Sequence, residues 1–519
     1  MVCKSIIKMV RVSLMIIIFT LSIFPSSTGI IRIDVAYAAD SDNDDILLFL
    51  PAILSGKRKS EPAITVTAVA NPNNILSVYA NWTTEEPMDS EVQFGAGGYQ
   101  YRIYDKTEVT NHHILVIGMH AETTYKIKAI SSNNDTTLQD ETTWTTGSLP
   151  VGVPQGVMLK NNAALSQPGW TLMNVQVGDG NSFALSDYPA RVVIYDHEGL
   201  PVWYYIDGKN VDWGGALSTE WLDSNTILIG PTGGAQTGYE PPREVDLAGN
   251  IIWEGPATVN DDEMLSHDVR KLSNGNYLLL RWMKAEGKPT DARLEEVNSN
   301  NEVVWSWNLY DFYTPPEGAQ GDWCHANSAT VDIENNEVYL SCRWLGLFKT
   351  SYNYDRSNPQ LLYHLPAIYH SSGEGDMTFD PPESRFNDIH APEIHDNGTI
   401  MFFDNDGWDF VHSVGGYHSR VLEFSINEQT KVAKLVWEFP GNFDVDSWFT
   451  DKFYCPYWGD ANHLENGNVL ITAGVRGTGS ISHVFEVTND GEVVWDFTLP
   501  EDHGVYRATR ISIPLIEPL

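Results

Sequence analysis

Two short phrases recur along most of this chain, and they alternate. One is a turn, an apolar pair and an aromatic: "EGLPVWYY", "AGNIIWEG", "NNEVVWSW", "VAKLVWEF" and "DGEVVWDF". Its tryptophans, Trp203, Trp253, Trp305, Trp437 and Trp495, fall at near-regular intervals, and Tyr363 of "PQLLYHL" fills the one double interval. The other is a turn entering an apolar strand: "GDGNSFAL", "DSNTILIG", "SNGNYLLL", "ENNEVYLS", "DNGTIMFF" and "ENGNVLIT". Self-similarity at a fixed period marks a repeat architecture. Residues 149–519 divided among six copies give roughly 62 residues each, enough for four strands and their loops. Helical periodicity is absent. The expected fold is all-β, with a six-bladed β-propeller over 149–519.

Residues ahead of the repeats read differently. Lys4, Lys8 and Arg11 precede the apolar run Val12 to Phe24, and Ala36-Tyr37-Ala38 offers small residues for cleavage. That pattern predicts a secretory signal over 1–38, hence export to a periplasm or the exterior. A linker over 39–61 follows. Residues 62–148 carry short alternating strands such as "ITVTAVA", "LSVYANWTT" and "TYKIKAISS". With Trp82 as core tryptophan and Tyr125 as corner tyrosine, they resemble an immunoglobulin-like sandwich of fibronectin type III kind. His112 and His113 read as structural there.

A net charge of −37 would repel nucleic acid and anionic membranes, so neither is expected as a partner. Removing the basic signal makes the balance more negative still. An anionic substrate would need a site with its own positive charge. Beyond the signal, Cys324, Cys342 and Cys455 allow one disulfide and one free thiol, with the pairing open.

The chemistry collects where a propeller's inner strands are expected, just before the second phrase. His267, His325 and His390 stand there in three consecutive units. One strand further, "LLLRW" and "LSCRW" put Arg281 and Arg343 at matching places, with Asp404 in the third unit. Three histidines could hold zinc, copper or iron. Two guanidiniums beside a divalent cation are electrostatically awkward, however, and the mixture suits an oxyanion better. No GxxxxGK loop offers a nucleotide cradle.

The segments "SHDVRKLSNGNYLLL", "DWCHANSATVD", "YLSCRW" and "HAPEIHDNGTIMFFDNDG" make the chain resemble the bacterial arylsulfate sulfotransferases over about 62–519. The resemblance implies an exported enzyme, with a β-sandwich ahead of a six-bladed propeller. It moves a sulfuryl group from a phenolic sulfate ester to a phenol without a nucleotide donor. No cofactor is expected, and the arginines beside the histidines argue against a metal. By the motif match, His390 is the nucleophile, and His325 and Arg343 hold the sulfuryl oxygens. His267 is a further donor or acid–base group, and Asn327 is a substrate contact; Ser266 stands where the family pattern often has another histidine. His395 belongs to the turn. Arg281 is added from the repeat alignment alone. A homodimer is compatible with this reading. A metal-dependent or sulfatase-like hydrolytic propeller, and a non-catalytic binding propeller, are the alternatives.

Overall fold

The structure is a computed structural model. It describes residues 63–519 except 178–188, 211–217, 235–237, 259–261, 316–318, 320, 354–359, 369–376, 406–418, 441–453, 457, 475–480, 502 and 514. The signal and linker expected over 1–61, and the first copy of the second phrase at 178–185, therefore lie outside the described residues. Among the described residues the chain is all-β apart from two 3-10 turns, and no helix there is long and apolar enough to cross a membrane.

Among the described residues from Trp170 on, six sheets of four or five strands follow one another, beside a two-stranded ribbon of Thr232–Gly234 and Gly238–Glu240. They are antiparallel but for the edge strand Thr378–Asp380. The third runs Glu263–Lys271, Tyr277–Met283, Asp291–Val297 and Val303–Asn308, each strand paired with the next. The second (Thr219–Leu222 to Ile251–Glu254) and fourth (Ala326–Asp332 to Leu361–Pro366) repeat that order. So do the fifth (Ile389–Ile394 to Val432–Phe439) and sixth (Asp460–His463 to Val493–Thr498), each with one added strand at its outer edge. Strands such as YLLLRWM and VLITA are nearly continuous apolar runs because both faces of a sheet are covered by neighbours.

The cores lie between sheets. Leu228 of the second packs with Leu279 of the third. Leu294 of the third packs with Leu340 of the fourth, and Leu365 of the fourth with Phe402 of the fifth. Phe403 of the fifth packs with Phe485 of the sixth. The ring closes through Val484 against Val193 of the first sheet, and Ile194 against Ile227 of the second.

The repeated tryptophan now has a physical role. It sits on the fourth strand of its sheet and donates its indole N–H to the next sheet round the ring. Trp203 reaches the Leu247 carbonyl at 2.8 Å, and Trp253 the Asn301 side-chain oxygen at 3.1 Å. Trp305 reaches the Tyr352 carbonyl at 3.1 Å, Trp437 that of Asn489 at 3.0 Å, and Trp495 that of His197 at 3.0 Å. The period seen in the sequence is the period of this clamp.

The first sheet departs from the simple order. Trp170–Val177, Pro189–Tyr195 and Pro201–Asn210 pair in sequence, but the inner edge is supplied by His503–Gly504 and Ala508–Ile511 from the far end of the chain. The segment Val157–Asn161 in turn joins the sixth sheet. The two ends of the repeat region thus interlock.

Where two packed sheets were expected over 62–148, hydrogen bonding joins all the strands into one six-stranded sheet, which also takes in the C-terminal Glu517–Pro518. Its long strands Val78–Gly95 and Tyr101–Val116 shift register near Met88, where the sheet bends around a core of Val78, Trp82, Phe94 and Ile127. Tyr125 does act as a corner residue: its hydroxyl accepts the His120 N–H at 2.9 Å. His112 stacks on Trp82 and bonds Ser90, a structural placement. Residues Ile64–Leu519 form one compact unit. Asn71 and Asn74 reach the Ala248 and Tyr204 carbonyls, both at 3.0 Å, tying this sheet to the ring.

Candidate active site

His267, His325 and His390 all lie where an inner strand breaks its ladder. Register shifts between Leu265 and Val269, between Ala326 and Ser328, and between His390 and Glu393. His267 and His325 adopt left-handed φ values of 59° and 51°, and Ala391 follows His390 with 49°. Such bulges re-aim side chains, and left-handed non-glycine residues cost of order 1–3 kcal/mol that the surrounding fold must hold. The same distortion in three sheets turns the histidines toward one another. His267 and His325 have ring centroids 5.2 Å apart, and the Tyr506 ring stands 6.1 Å from His267 and 6.2 Å from His390.

His390 is buried, and its Nδ1 lies 2.5 Å from Asn405 Oδ1. The amide of Asn405 has no freedom to flip, because its Nδ2 donates to the Cys455 carbonyl at 2.7 Å and the Trp458 carbonyl at 2.6 Å. The turn that presents Trp458 needs Gly459, at φ +111°, where a Cβ would lie 2.6 Å from the Phe403 ring. An amide oxygen can only accept, so the ring proton must sit on Nδ1 and the lone pair on Nε2. Burial first, then the Arg343 charge, hold the His390 pKa well below its usual 6.5. This imidazole is a neutral base with a defined tautomer.

Arg343 is tied to the same centre. Its backbone N–H donates to the His325 carbonyl at 3.0 Å, and its guanidinium bonds Asp388 Oδ2 at 3.2 Å and the Pro456 carbonyl at 2.9 Å. Its Nε is buried with no partner. His325 Nδ1–H donates to Asp322 Oδ2 at 2.5 Å, and Asp322 Oδ1 accepts the His325 backbone N–H at 3.1 Å. Indoles wall the ring: Trp282 at 4.7 Å and Trp344 at 5.3 Å between centroids. His267 is held by Ser266 Oγ at 2.5 Å from Nδ1. Burial and then the His325 and Arg507 charges depress its pKa far below 6.5.

The cysteines preceding His325 and Arg343 are bonded to each other, Cys324 to Cys342, and Cys455 is a buried thiol outside that bridge. The bridge pins the backbones of His325 and Arg343 side by side. Serine at both positions should cost roughly 3 kcal/mol by loop-closure entropy for a loop of this length. We expect a lower thermal-inactivation temperature but retained turnover, also with Cys455→Ser added. Complete loss in a folded triple variant would point to a thiol nucleophile.

Two sequence assignments are placed elsewhere. Arg281 is not brought to the histidines: its Nε binds Glu295 at 2.5 Å on its own sheet, and the residue of "LLLRW" that reaches them is Trp282. Asn327 is fully buried, with Nδ2 on the Ile389 carbonyl at 2.7 Å, so it braces the His390 strand. The second guanidinium is Arg507, which the repeat alignment missed. It bonds Asp268 at 2.9 Å and the Asn327 carbonyl at 3.2 Å, and its Nε too is buried without a partner. With Tyr506 it occupies the break in the inner edge of the first sheet, the place the histidines hold in theirs.

A sequence profile of the arylsulfotransferase (ASST) family matches residues 152–507. The chain belongs to that family. The match reaches into all six sheets, leaving out only the Ala508–Ile511 strand of the first, and covers every residue of the site. No curated protein is similar in sequence. Among solved structures, a Bacteroides caccae protein of unknown function matches at 13% identity and TM-score 0.39, covering 66% of this chain and 98% of that one. The Pseudomonas aeruginosa periplasmic gluconolactonase matches at 10% identity and TM-score 0.37, covering 66% and 100%. An apocarotenoid oxygenase variant from Synechocystis matches at 8% and 0.34, covering 70% and 97%.

Proposed function

We propose that this family member is an exported arylsulfate sulfotransferase that works through a sulfohistidine on His390. The observation that carries the reading is the Asn405 Oδ1 contact with His390 Nδ1, which leaves Nε2 as the lone pair of a ring that also feels the Arg343 charge. In the first step Nε2 attacks sulfur of an aryl sulfate, the N–S bond forms as the S–O bond breaks, and a phenolate leaves. In the second, a phenol oxygen attacks the same sulfur, its proton passes to a neighbouring base, and the electron pair returns to Nε2. Charge on the sulfuryl oxygens is met by the unpaired Nε–H groups of Arg343 and Arg507, as preorganised donors do for other oxyanions. His325, oriented by Asp322, and His267 serve as donors and proton carriers. Alkyl esters are poor donors under this scheme, because only a phenolate is a good enough leaving group without strong acid assistance.

The test is turnover of a chromogenic aryl sulfate with and without added phenol, before and after exhaustive chelation. Release should depend on phenol and be indifferent to chelator. Fast release to water alone would make the protein a hydrolase, and loss restored by one metal would make the histidines a metal centre.

The tautomer itself is measurable. An ordinary imidazole is about half protonated at pH 6.5. Since burial and Arg343 lower the His390 pKa, falling pH meets the free-solution value first and leaves this ring neutral. Histidine-selective ¹⁵N NMR, assigned with His390→Ala, should show a neutral ring with Nδ1 protonated at pH 6.5. An imidazolium signal there would contradict the assignment.

A further inference from the structure

The turn of the fifth sheet that follows the His390 strand carries an anomaly. Corresponding turns in the third and sixth sheets place Leu272 and Leu464 at their first residue. Leu272 N–H donates to the Asn276 carbonyl at 2.8 Å and Leu464 N–H to that of Asn468 at 2.9 Å. Both leucines are buried. In the fifth sheet the same bond, 3.0 Å to the Thr399 carbonyl, is made by His395. A histidine stands where the fold's own repeat puts an apolar residue.

Its surroundings are equally particular. Each of these sheets has a buried glutamate on its third strand beneath the turn. Glu296 is satisfied by Asn274, Asn276 and Tyr352, and Glu486 by Asn466, Asn468 and Arg510. None of those donors is a metal ligand. The fifth-sheet counterpart, Glu423, faces His395 Nδ1 at 3.5 Å and His463 Nε2 of the sixth sheet at 3.4 Å. Glu393 Oε2 lies 3.0 Å from His395 Nε2. Among the described residues, His395, Glu423 and His463 are the group whose ligand atoms all fall within 4.8 Å of one another.

We propose that His395, His463 and Glu423 bind a divalent cation of zinc type, which staples the fifth sheet to the sixth. Two imidazoles and a carboxylate are the donors zinc prefers, and its bond lengths of about 2.0–2.2 Å give tetrahedral ligand–ligand separations of roughly 3.4 Å. The two imidazole contacts with Glu423, 3.5 Å from His395 and 3.4 Å from His463, already have that length, one on each carboxylate oxygen. Water supplies the fourth position, Glu393 accepts from His395 Nε2 and orients the ring, and His463, about one-third exposed, opens the site to solvent. His395 is five residues beyond His390, just past the end of the Ile389–Ile394 strand, on the order of 15 Å away. The ion would therefore stabilise the wall of the active site without touching the sulfuryl group.

The experiment is calorimetric titration of the chelator-stripped full-length protein with zinc chloride, paired with thermal denaturation. Wild type should take up one equivalent and melt at a higher temperature with zinc. His395→Leu restores the residue of the sister turns, so it should fold, and both effects should vanish in it; His463→Ala should bind at least tenfold more weakly. His390→Ala should bind zinc as wild type does. No uptake by wild type would overturn the proposal, as would unchanged uptake in His395→Leu. Loss of uptake in His390→Ala would move the ion to the catalytic histidines, and a failure of sulfuryl transfer alone would leave the zinc result standing.

Discussion

His390→Ala should transfer no sulfuryl group, whatever donor or phenol is offered. The two-step route depends on a bond to Nε2, and alanine has nothing to form it. Charge stabilisation by Arg343 and Arg507 survives the substitution but has no covalent intermediate to act on. The variant should still fold: it loses one buried hydrogen bond to Asn405, worth about 1–3 kcal/mol when a partner is left unmet. Activity and melting temperature measured on the same preparation separate these effects. A folded His390→Ala that retains a tenth of wild-type turnover would place the nucleophile elsewhere. His325→Ala, which removes a donor, should instead cost about 10²–10³-fold.

Arg343→Lys should lower kcat by about 10²–10³-fold, with a smaller change in melting temperature. Lysine keeps a positive charge facing the buried Asp388, so the carboxylate is not stranded. It cannot keep the geometry. The guanidinium spends one amino group on Asp388 and the Pro456 carbonyl and still has Nε–H free for an oxyanion, whereas an ammonium is one point charge with no planar fork. Steady-state kinetics with one aryl sulfate and one phenol check this. A kcat within a factor of about three of wild type would remove Arg343 from the transition state.

The sequence revealed what depends on period and little of what depends on closure. Five tryptophans could be aligned because each makes the same clamp to the next sheet, and that clamp needs one residue type at one place. His267, His325 and His390 were legible for a related reason: each precedes a strand whose turn is easily read. Tyr506 and Arg507 were not, because the inner edge of the first sheet comes from the far end of the chain and carries no neighbouring turn phrase. Arg281 and Arg343 share an Arg-Trp dipeptide, yet Glu295 neutralises one and Asp388 only anchors the other. Pattern cannot foresee which carboxylate lies across the sheet. Asn405 was invisible for a further reason. Its function rests on two carbonyls, of Cys455 and Trp458, that lie about fifty residues further on, just before the first strand of the sixth sheet, and orient its amide.

Trapping of the covalent intermediate tests the central claim most directly. Wild-type protein is mixed with a rapidly cleaved aryl sulfate in the absence of any phenol, quenched under alkaline conditions that preserve N–S bonds, digested and weighed by mass spectrometry. The account predicts one acid-labile sulfuryl increment on the peptide containing His390, absent from His390→Ala and discharged when phenol is added before the quench. An increment on the peptide of His267 or His325, or none at all with kinetics that require donor and phenol bound together, would contradict it.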